Sequence, residues 1–170
     1  MITVNVLIAP PGCNKEALGK LYAKVNNFKC VSSQIVIKDY KKNVRNYHKE
    51  AQHWMGKDQL IPTWMIYHEV MDELFKWGFK EDRVLVGYPR TRQQAEILYK
   101  RTIKSIQYQL GEVLFIDREK VDNTTKDYEL YYENLGELEH YFKNIVSSNV
   151  RHLQYETLKE EDLKFLQLVA

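Results

Sequence analysis

The residues that could carry out chemistry appear first in a short loop near the amino terminus, which reads APPGCNKEA at positions 9–17. A loop that cradles phosphate groups is written G-x-x-x-x-G-K-[ST], because its glycines let backbone N–H groups approach the phosphate oxygens and its lysine adds a positive charge. In this chain Ala9 and Asn14 stand at the glycine positions, while Lys15 is kept and Glu16 replaces the hydroxyl residue. The pattern therefore indicates a phosphate-binding loop in which several of the usual residues have been replaced.

The segments on either side of this loop are those that a phosphate-binding loop requires. The apolar, β-branched run at 2–9 predicts a buried strand that ends in a Pro-Pro-Gly turn. Apolar residues then recur at the spacing of one helical face, which predicts a helix at 15–25 with a single buried side. They are Leu18, Leu21, Tyr22 and Val25.

Further along the chain, predicted strands alternate with predicted helices. Strands are expected at 83–86, 112–117 and 149–155, and helices at 62–77, 92–106 (capped by Thr91), 127–146 and 160–169. A polar, basic stretch at 38–57 is predicted to be helical and peripheral. This alternation predicts an α/β fold with a mostly parallel sheet that is covered on both faces. Ligands of such folds bind at the carboxyl ends of the strands, where the loop at 9–17 and a Gly-Tyr-Pro-Arg turn at 87–90 are expected to lie.

The composition limits the classes of protein to which the chain can belong. Its 170 residues are enough for one domain with a sizeable core, and a net charge of +2 is too small to indicate a nucleic-acid partner. Cys13 and Cys30 match no disulfide framework or zinc spacing, so we expect an intracellular, reducing compartment. The sequence contains no apolar run long enough for a transmembrane segment and no signal-peptide pattern at its start. The cytoplasm and an organelle such as a mitochondrion or cilium stay open as locations.

A second motif lies at positions 86–95, where the chain reads VGYPRTRQQA. This string strongly resembles the signature D-G-[FY]-P-R-T-x-x-Q-A of the adenylate kinase family, a family of nucleoside monophosphate kinases. Two more stretches are similar to family segments: VSSQIVIK at 31–38 resembles S-T-G-D-x-x-R, and GKDQLIP at 56–62 resembles G-K-x-x-V-P. The resemblance covers residues 1 to about 117. It implies a divergent member of the family, with a degenerate phosphate loop and a reduced lid.

The resemblance implies a fold and a domain organisation. The fold is the α/β P-loop NTPase fold of the nucleoside monophosphate kinases, with a five-stranded parallel sheet and helices on both faces. Residues 1–170 would form a single adenylate kinase-like domain. Its core would comprise 1–32 and 78–170, a helical monophosphate-binding arm would span about 33–77, and the lid would be reduced or absent near 118–126.

The resemblance also implies a set of site residues, most of them on the side that binds the monophosphate. Lys15 matches the phosphate-loop lysine and Arg90 the arginine that grips the AMP phosphate, so these would be the catalytic residues, vestigial if the protein is inactive. Gln94 matches the glutamine that reads the adenine edge, and Ser33 matches a hydroxyl near the adenine. Lys38 stands at the position of a second phosphate-binding arginine. The full predicted nucleotide-binding set is Gly12, Lys15, Ser33, Lys38, Leu60, Ile61, Arg90 and Gln94.

The replacements fall mostly on the side that binds ATP and the metal. Glu16 brings a carboxylate to the phosphate cradle, where a unit charge at about 4 Å costs roughly 4 kcal/mol at an effective dielectric constant near 20. Ala17 stands where the family has the threonine near Mg²⁺, and Val86 where it has the aspartate that orders the metal's water shell. Arg118 is the only residue before Arg151 that could match the arginines of the family's lid. We therefore predict no metal-ligating residues, and Mg²⁺ only if the protein is active.

These losses lead to three hypotheses about function. The first is a degenerate adenylate kinase-like protein without phosphotransfer activity, a structural or accessory subunit of a larger complex that retains AMP or ATP if it keeps a nucleotide. The second is an active or weak nucleoside monophosphate kinase, which makes ADP from ATP and AMP with substitute residues. The third is a sensor module that binds AMP. The first hypothesis implies partner protein subunits, and Trp54, Trp64 and Trp77 are either core residues or part of a contact patch.

Overall fold

The computed structural model describes residues 1–43, 63–76, 78, 80–119 and 125–164, which form one parallel sheet with helices on both faces. The strands are β1 (Ile2–Ile8), β2 (Lys29–Ser32), β3 (Arg83–Val86), β4 (Tyr108–Asp117) and β5 (Asn149–Gln154). Their order across the sheet is β2-β3-β1-β4-β5, and each neighbouring pair runs parallel. The five-stranded parallel sheet implied by the resemblance is therefore confirmed.

The α-helices of the described residues connect and cover these strands. They are α1 (Lys15–Asn26), α2 (Ser33–Asn43), α3 (Thr63–Leu74), α4 (Arg92–Ile103) and α5 (Lys126–His140). Thr91 caps α4 as predicted, since its side-chain oxygen accepts a hydrogen bond from the backbone N–H of Gln94. None of the helices in the described ranges is both long and apolar enough to cross a membrane.

The strands bury side chains on both faces, which explains their β-branched and apolar composition. On one face, Val6, Leu85 and Phe115 belong to a cluster that also contains residues of α3, α4 and α5. On the opposite face, Leu7 and Val86 pack in a second cluster with α1 and the turn that follows β5. The sheet is thus the middle layer of an α/β/α sandwich, as the alternating pattern predicts.

Several boundaries differ from the sequence prediction because pairing within the sheet outweighs local pattern. The residue pattern alone misses β2, a short strand that pairs with β3 along its whole length. β4 begins at Tyr108 instead of 112, and α4 consequently ends at Ile103 instead of near 106. The helix predicted at 127–146 is α5 followed by one π-helical turn, Tyr141–Ile145. The predicted helical stretch at 38–57 is described as far as residue 43, and the division into core and arm stays a prediction.

The closing helix predicted at 160–169 is wrong in its described part. The chain makes a single 3-10 turn, Glu160–Leu163, and Lys164 is already extended with φ −64° and ψ 131°. The reason is Arg151, whose guanidinium donates hydrogen bonds to the carbonyl oxygens of Asp162 (2.6 Å) and Lys164 (3.3 Å). The Arg151 side chain thus satisfies carbonyl groups at the end of the turn, as the end of a helical segment requires.

The same arginine belongs to a buried cluster that joins three elements. Glu112 in β4 is buried, and its carboxylate accepts hydrogen bonds from Nε of Arg151 in β5 (2.8 Å) and from the hydroxyl of Tyr22 in α1 (2.6 Å). Burial and the Glu112 carboxylate raise the pKa of Tyr22, so its hydroxyl stays a donor at neutral pH. The cluster holds α1 and the turn after β5 on the same face of the sheet.

Removal of Arg151 should leave Glu112 as a buried charge without its main partner. We expect Arg151→Met to lower the free energy of unfolding by about 3–5 kcal/mol, measured by urea denaturation at pH 7. Arg92→Met is the control, because it breaks the exposed pair between Arg92 and Glu96 and should cost about 0.3–0.5 kcal/mol. Equal effects of the two substitutions would contradict a structural role for the buried cluster.

Candidate functional site

The carboxyl ends of the parallel strands bring the predicted motifs to one edge of the sheet. Leu7 near the end of β1 pairs with Val86 at the end of β3, which pairs in turn with Ser32 at the end of β2. The loop at 9–14, the turn at 87–90 and the start of α2 therefore begin side by side. This is the edge at which sheets of this kind bind their ligands.

The loop at 9–14 is left-handed at two positions. Gly12 has φ +87°, a conformation that favours glycine, and Asn14 has φ +47° and ψ +58° immediately before α1. Asparagine tolerates this conformation better than most residues do, so Asn14 is a workable replacement for the glycine of the motif. Ala9 is not among the residues with positive φ. The loop backbone is thus compatible with both glycine replacements.

Lys15 and Arg90 line the same small cavity, about 20 Å³ in volume, between the loop and the turn at 87–90. A cavity of this volume has room for about one water molecule. Its remaining wall includes Tyr131 and Leu135 of α5, so this helix covers the cleft between the cations. The structure therefore places the two predicted catalytic residues together, beneath a helix whose side chains close the cleft.

Ser33 and Gln94 also lie at this edge. A Cβ on Gly87 would stand 2.5 Å from Oγ of Ser33 and 3.8 Å from Cε of Lys15, so the hydroxyl and the lysine flank the same glycine. Gln94 is 2% exposed, and its Oε1 accepts a hydrogen bond of 2.7 Å from the backbone N–H of Arg90. Gln94 thus stabilises the turn that carries Arg90. The resemblance also implies that Gln94 recognises adenine, and this role stays a prediction.

The remaining predicted nucleotide-binding residues are Lys38, Leu60 and Ile61. Lys38 is exposed on α2, and Leu60 and Ile61 lie outside the described residues. Their roles, like those of the residues in the cleft, stay predictions.

The charges in the cleft act on the protonation of Lys15. Burial lowers the pKa of the Lys15 ammonium and the positive charge of Arg90 lowers it further, while Glu16 and Asp127 act in the opposite direction. Asp127 is also the ion-pair partner of Arg90, with Oδ1 2.6 Å from Nη2. Lys15, Arg90 and the Asp127 carboxylate therefore meet at the cleft, and the Glu16 charge acts on Lys15 as well. Cations in this arrangement suit a phosphate, whose several oxygens accept charge-assisted hydrogen bonds.

Glu16 lies near β2 as well as near the loop. Its charge raises the pKa of Lys15 against the larger effect of burial, and it adds to burial in raising the pKa of the Cys30 thiol in β2. Oε1 of Glu16 is buried, and within the described part of the chain it has no hydrogen-bond partner.

The position that would support a metal is filled by packing. Val86 is fully buried, and its Cγ2 takes the space that a Cβ on Gly19 of α1 would need. Ala17 is exposed and carries no hydroxyl. Searched over the described ranges, the chain has no group of three or more His, Cys, Asp or Glu side chains that could hold a metal ion. Position 86 therefore packs the sheet against α1 instead of presenting an oxygen to a cation.

Arg118, the lid-side candidate, lies directly after β4 and against the loop. Its Nη1 is 2.7 Å from the place where a Cβ on Gly12 would stand, and its Cζ lies 5.3 Å from the centroid of the Tyr155 ring. Burial raises the pKa of the neighbouring Cys13 thiol, and the charge of Arg118 partly offsets this. The structure therefore adds a further cation at the loop.

Sequence reasoning misses Asp127 and Tyr131 as residues of the cleft. They stand four residues apart on α5 and so share a helical face, a signal that was visible in the sequence. The sequence does not show, however, that this face covers the loop, because the contact joins segments far apart in the chain.

Comparison with known proteins agrees with this geometry. The chain is 33% identical over 112 residues to an adenylate kinase of Methanothrix thermoacetophila, which is 66% of this chain and 52% of that protein. It is 29% identical over 112 residues, 66% of this chain and 52% of the relative, to an adenylate kinase of Caldicellulosiruptor bescii. With an adenylate kinase of Clostridium tetani it shares 32% identity over 96 residues, 55% of this chain and 43% of the relative.

The chain thus spans about half the length of the curated relatives that it matches. No protein-family model matches it. The predicted relationship to the adenylate kinases and the predicted P-loop NTPase fold are confirmed by these relatives together with the parallel sheet.

The packing of Val86 against α1 can be tested with glycine substitutions. We expect Gly19→Ala to lower the free energy of unfolding by about 1–3 kcal/mol, because the added Cβ overlaps Val86, and Val86→Ala in the same chain to recover part of this loss. Gly136→Ala in α5 is the matched control; its Cβ would meet no atom within 4 Å, so it should stabilise the protein by about 0.4–1 kcal/mol. Strictly additive effects of Gly19→Ala and Val86→Ala in denaturant titrations would argue against the contact.

Proposed function

Because this chain is a divergent relative of the adenylate kinases, we propose that it is a degenerate member that binds a nucleoside monophosphate without phosphoryl transfer. It would serve as a structural or accessory subunit of a larger assembly, with the nucleotide as a stabilising ligand. The observation that carries the proposal is the contrast between the two sides of the site. Lys15 and Arg90 face one cleft, whereas position 86 is buried in the packing between β3 and α1.

The retained cations support binding of a monophosphate. A guanidinium makes planar, two-pronged contacts with phosphate oxygens, and a lysine adds a point charge. The turn that carries Arg90 is braced by Gln94, and Ser33 places a hydroxyl beside the same turn. Two cations can bind a phosphate, and a nearby hydroxyl can bind the polar edge of the attached base or sugar.

The losses on the opposite side support the absence of phosphoryl transfer. Transfer from a nucleoside triphosphate depends on a placed Mg²⁺ and on cations that stabilise the transition state. Val86 has no oxygen for the metal's water shell, and Ala17 has none for the metal itself. Glu16 adds a negative charge beside Lys15.

Three exposed apolar side chains at the border of one groove support a role within an assembly. Met1, Ile103 and Ile106 are 81%, 60% and 93% exposed, and they border a groove of about 980 Å³ near the amino ends of β1, β4 and β5. This groove lies at the opposite end of the strands from the cleft. Apolar side chains grouped at an exposed groove favour contact with another protein.

A working or weak nucleoside monophosphate kinase is the second candidate. Arg118 favours it, because its guanidinium stands against Gly12 of the loop and could supply a cation on the triphosphate side. A single arginine of this kind contributes roughly 10³–10⁵ to the rate of phosphoryl transfer in related enzymes.

A coupled assay separates the two candidates. With Mg-ATP and AMP, we expect ADP formation by the wild type to be no faster than by Arg90→Ala, because the metal side is incomplete. Arg92→Ala is the matched control, an exposed arginine that pairs with Glu96 on α4. Turnover by the wild type and Arg92→Ala that disappears in Arg90→Ala would overturn the proposal in favour of the kinase.

A thermal-shift experiment tests the binding itself. AMP at a hundredfold excess over its Kd should stabilise the protein by about 2.7 kcal/mol, or roughly 5–10 °C in Tm for a domain of this size. The shift should disappear in Arg90→Ala and persist in Arg92→Ala. A larger shift with Mg-ATP than with AMP, or no shift with either nucleotide, would contradict a monophosphate site.

A further inference from the structure

The cleft contains a negative group that belongs to the protein. Asp127 lies in the first turn of α5, and its Oδ1 is 2.6 Å from Nη2 of Arg90. Its charge also acts on Lys15 in the direction that favours the ammonium form. The carboxylate therefore interacts with both cations that would receive a phosphoryl group.

The helix that carries Asp127 also closes the cleft sterically. Tyr131 lies one turn further along α5 and lines the cavity beside Lys15 and Arg90, where about 20 Å³ is left. Burial raises the pKa of the Tyr131 phenol, so the ring occupies this place as a neutral group. A phosphoryl group, with three or four oxygens, does not fit into a space for one water molecule. The cavity itself therefore takes a phosphoryl group only if this face of α5 moves, whereas the Arg90 side chain also has 29% of its surface open to solvent.

A carboxylate is a chemical substitute for a phosphate at a guanidinium. Both groups can present two oxygens side by side to the arginine, and both accept charge-assisted hydrogen bonds from its N–H groups. They differ in charge, because a phosphomonoester carries about two negative charges at neutral pH and a carboxylate one. A phosphate can thus replace Asp127, but it must first break the pair with Arg90.

We propose that Asp127 is an intramolecular phosphate mimic, which keeps Arg90 occupied and holds the Tyr131 face of α5 over the cleft until a phosphorylated ligand displaces it. The inference rests on the proposed function, since it describes how the same site is regulated. Free and ligand-bound forms would differ in the partner of Arg90, with Asp127 in one and the phosphoryl group in the other. The apparent affinity of the site is then reduced by the fraction of molecules in which the pair is formed.

The exposure of the pair is consistent with displacement. The Arg90 and Asp127 side chains are 29% and 50% exposed, and ion pairs with this much solvent contact are weak. By contrast, the Glu112 carboxylate that pairs with Arg151 is 0% exposed. The buried Glu112–Arg151 pair suits a permanent structural role, and the exposed Arg90–Asp127 pair suits exchange with a ligand.

Calorimetric titration of the full chain with inorganic pyrophosphate and with AMP tests the proposal. The proteins are the wild type, Asp127→Asn, and Asp127→Asn combined with Arg90→Ala. Glu129→Gln is the matched control, because Glu129 is an exposed acid in the same helical turn and its loss changes the net charge equally. Removal of the competing carboxylate should tighten pyrophosphate binding about two- to sixfold in Asp127→Asn, the range expected when an exposed ion pair is released, with less than twofold change in Glu129→Gln. The gain should vanish when Arg90→Ala is added.

The titrations distinguish an Asp127 that a phosphate displaces from an Asp127 that only stabilises the fold through its pair with Arg90. If the Arg90–Asp127 pair only stabilises the fold, Asp127→Asn should lower Tm and leave the affinity for pyrophosphate unchanged or weaker. This result would overturn the proposal. Failure of every protein to bind either anion would overturn it as well, together with the proposed function.

The two proposals also fail separately. Tighter pyrophosphate binding by Asp127→Asn, without any preference for AMP, would support the mimic and refute the monophosphate site. AMP binding that is the same in the wild type and Asp127→Asn would support the site and refute the mimic.

Discussion

Two positive charges that face one cleft impose the constraint on which the rest of the site depends. Lys15 comes from the first turn of α1 and Arg90 from the turn after β3, and the charge of Arg90 is close enough to lower the pKa of Lys15. Bringing two partly buried cations together is unfavourable unless a negative group lies near both. In this chain Asp127 supplies that group from α5. The position of α5 over the loop is therefore tied to the electrostatics of the cleft as well as to its apolar packing.

Buried packing contacts and the charged cleft occupy different parts of the molecule. On the α1 face, Val86 and Gly19 fit together closely, and the Glu112–Arg151 pair holds the turn after β5. Val86 and Glu112 are 0% and 1% exposed. At the carboxyl ends of the strands, Lys15 of α1 and Arg90 line a cleft together with Tyr131 of α5, and the Arg90 side chain is 29% exposed. The buried contacts therefore fix the position of α1 on the sheet, and with it the position of Lys15 at the cleft.

Much of the fold could be predicted from local pattern and resemblance. The strands at β1 and β3, the start of α1 at Lys15 and the Thr91 cap follow from apolar periodicity and capping chemistry, which depend on neighbours within a few residues. The pattern alone misses β2, because its four residues become a strand through pairing with β3. The end of the chain was predicted as a helix because its local spacing is helical. In the described part of that segment the chain makes a single 3-10 turn, and Arg151 of β5 donates hydrogen bonds to the carbonyls of Asp162 and Lys164 at its end.

The local sequence suffices to bring Lys15 and Arg90 to the ligand edge, because each follows a predicted strand of a parallel sheet. It also determined which groups are missing, since Val86 and Ala17 carry no oxygen in their side chains whatever the fold. The tertiary structure decided what those groups contact. Asp127 and Tyr131 lie more than thirty positions after Arg90, and Arg118 more than a hundred after Gly12. Their meeting at the cleft depends on how α5 and the end of β4 pack onto the sheet, which no local pattern encodes.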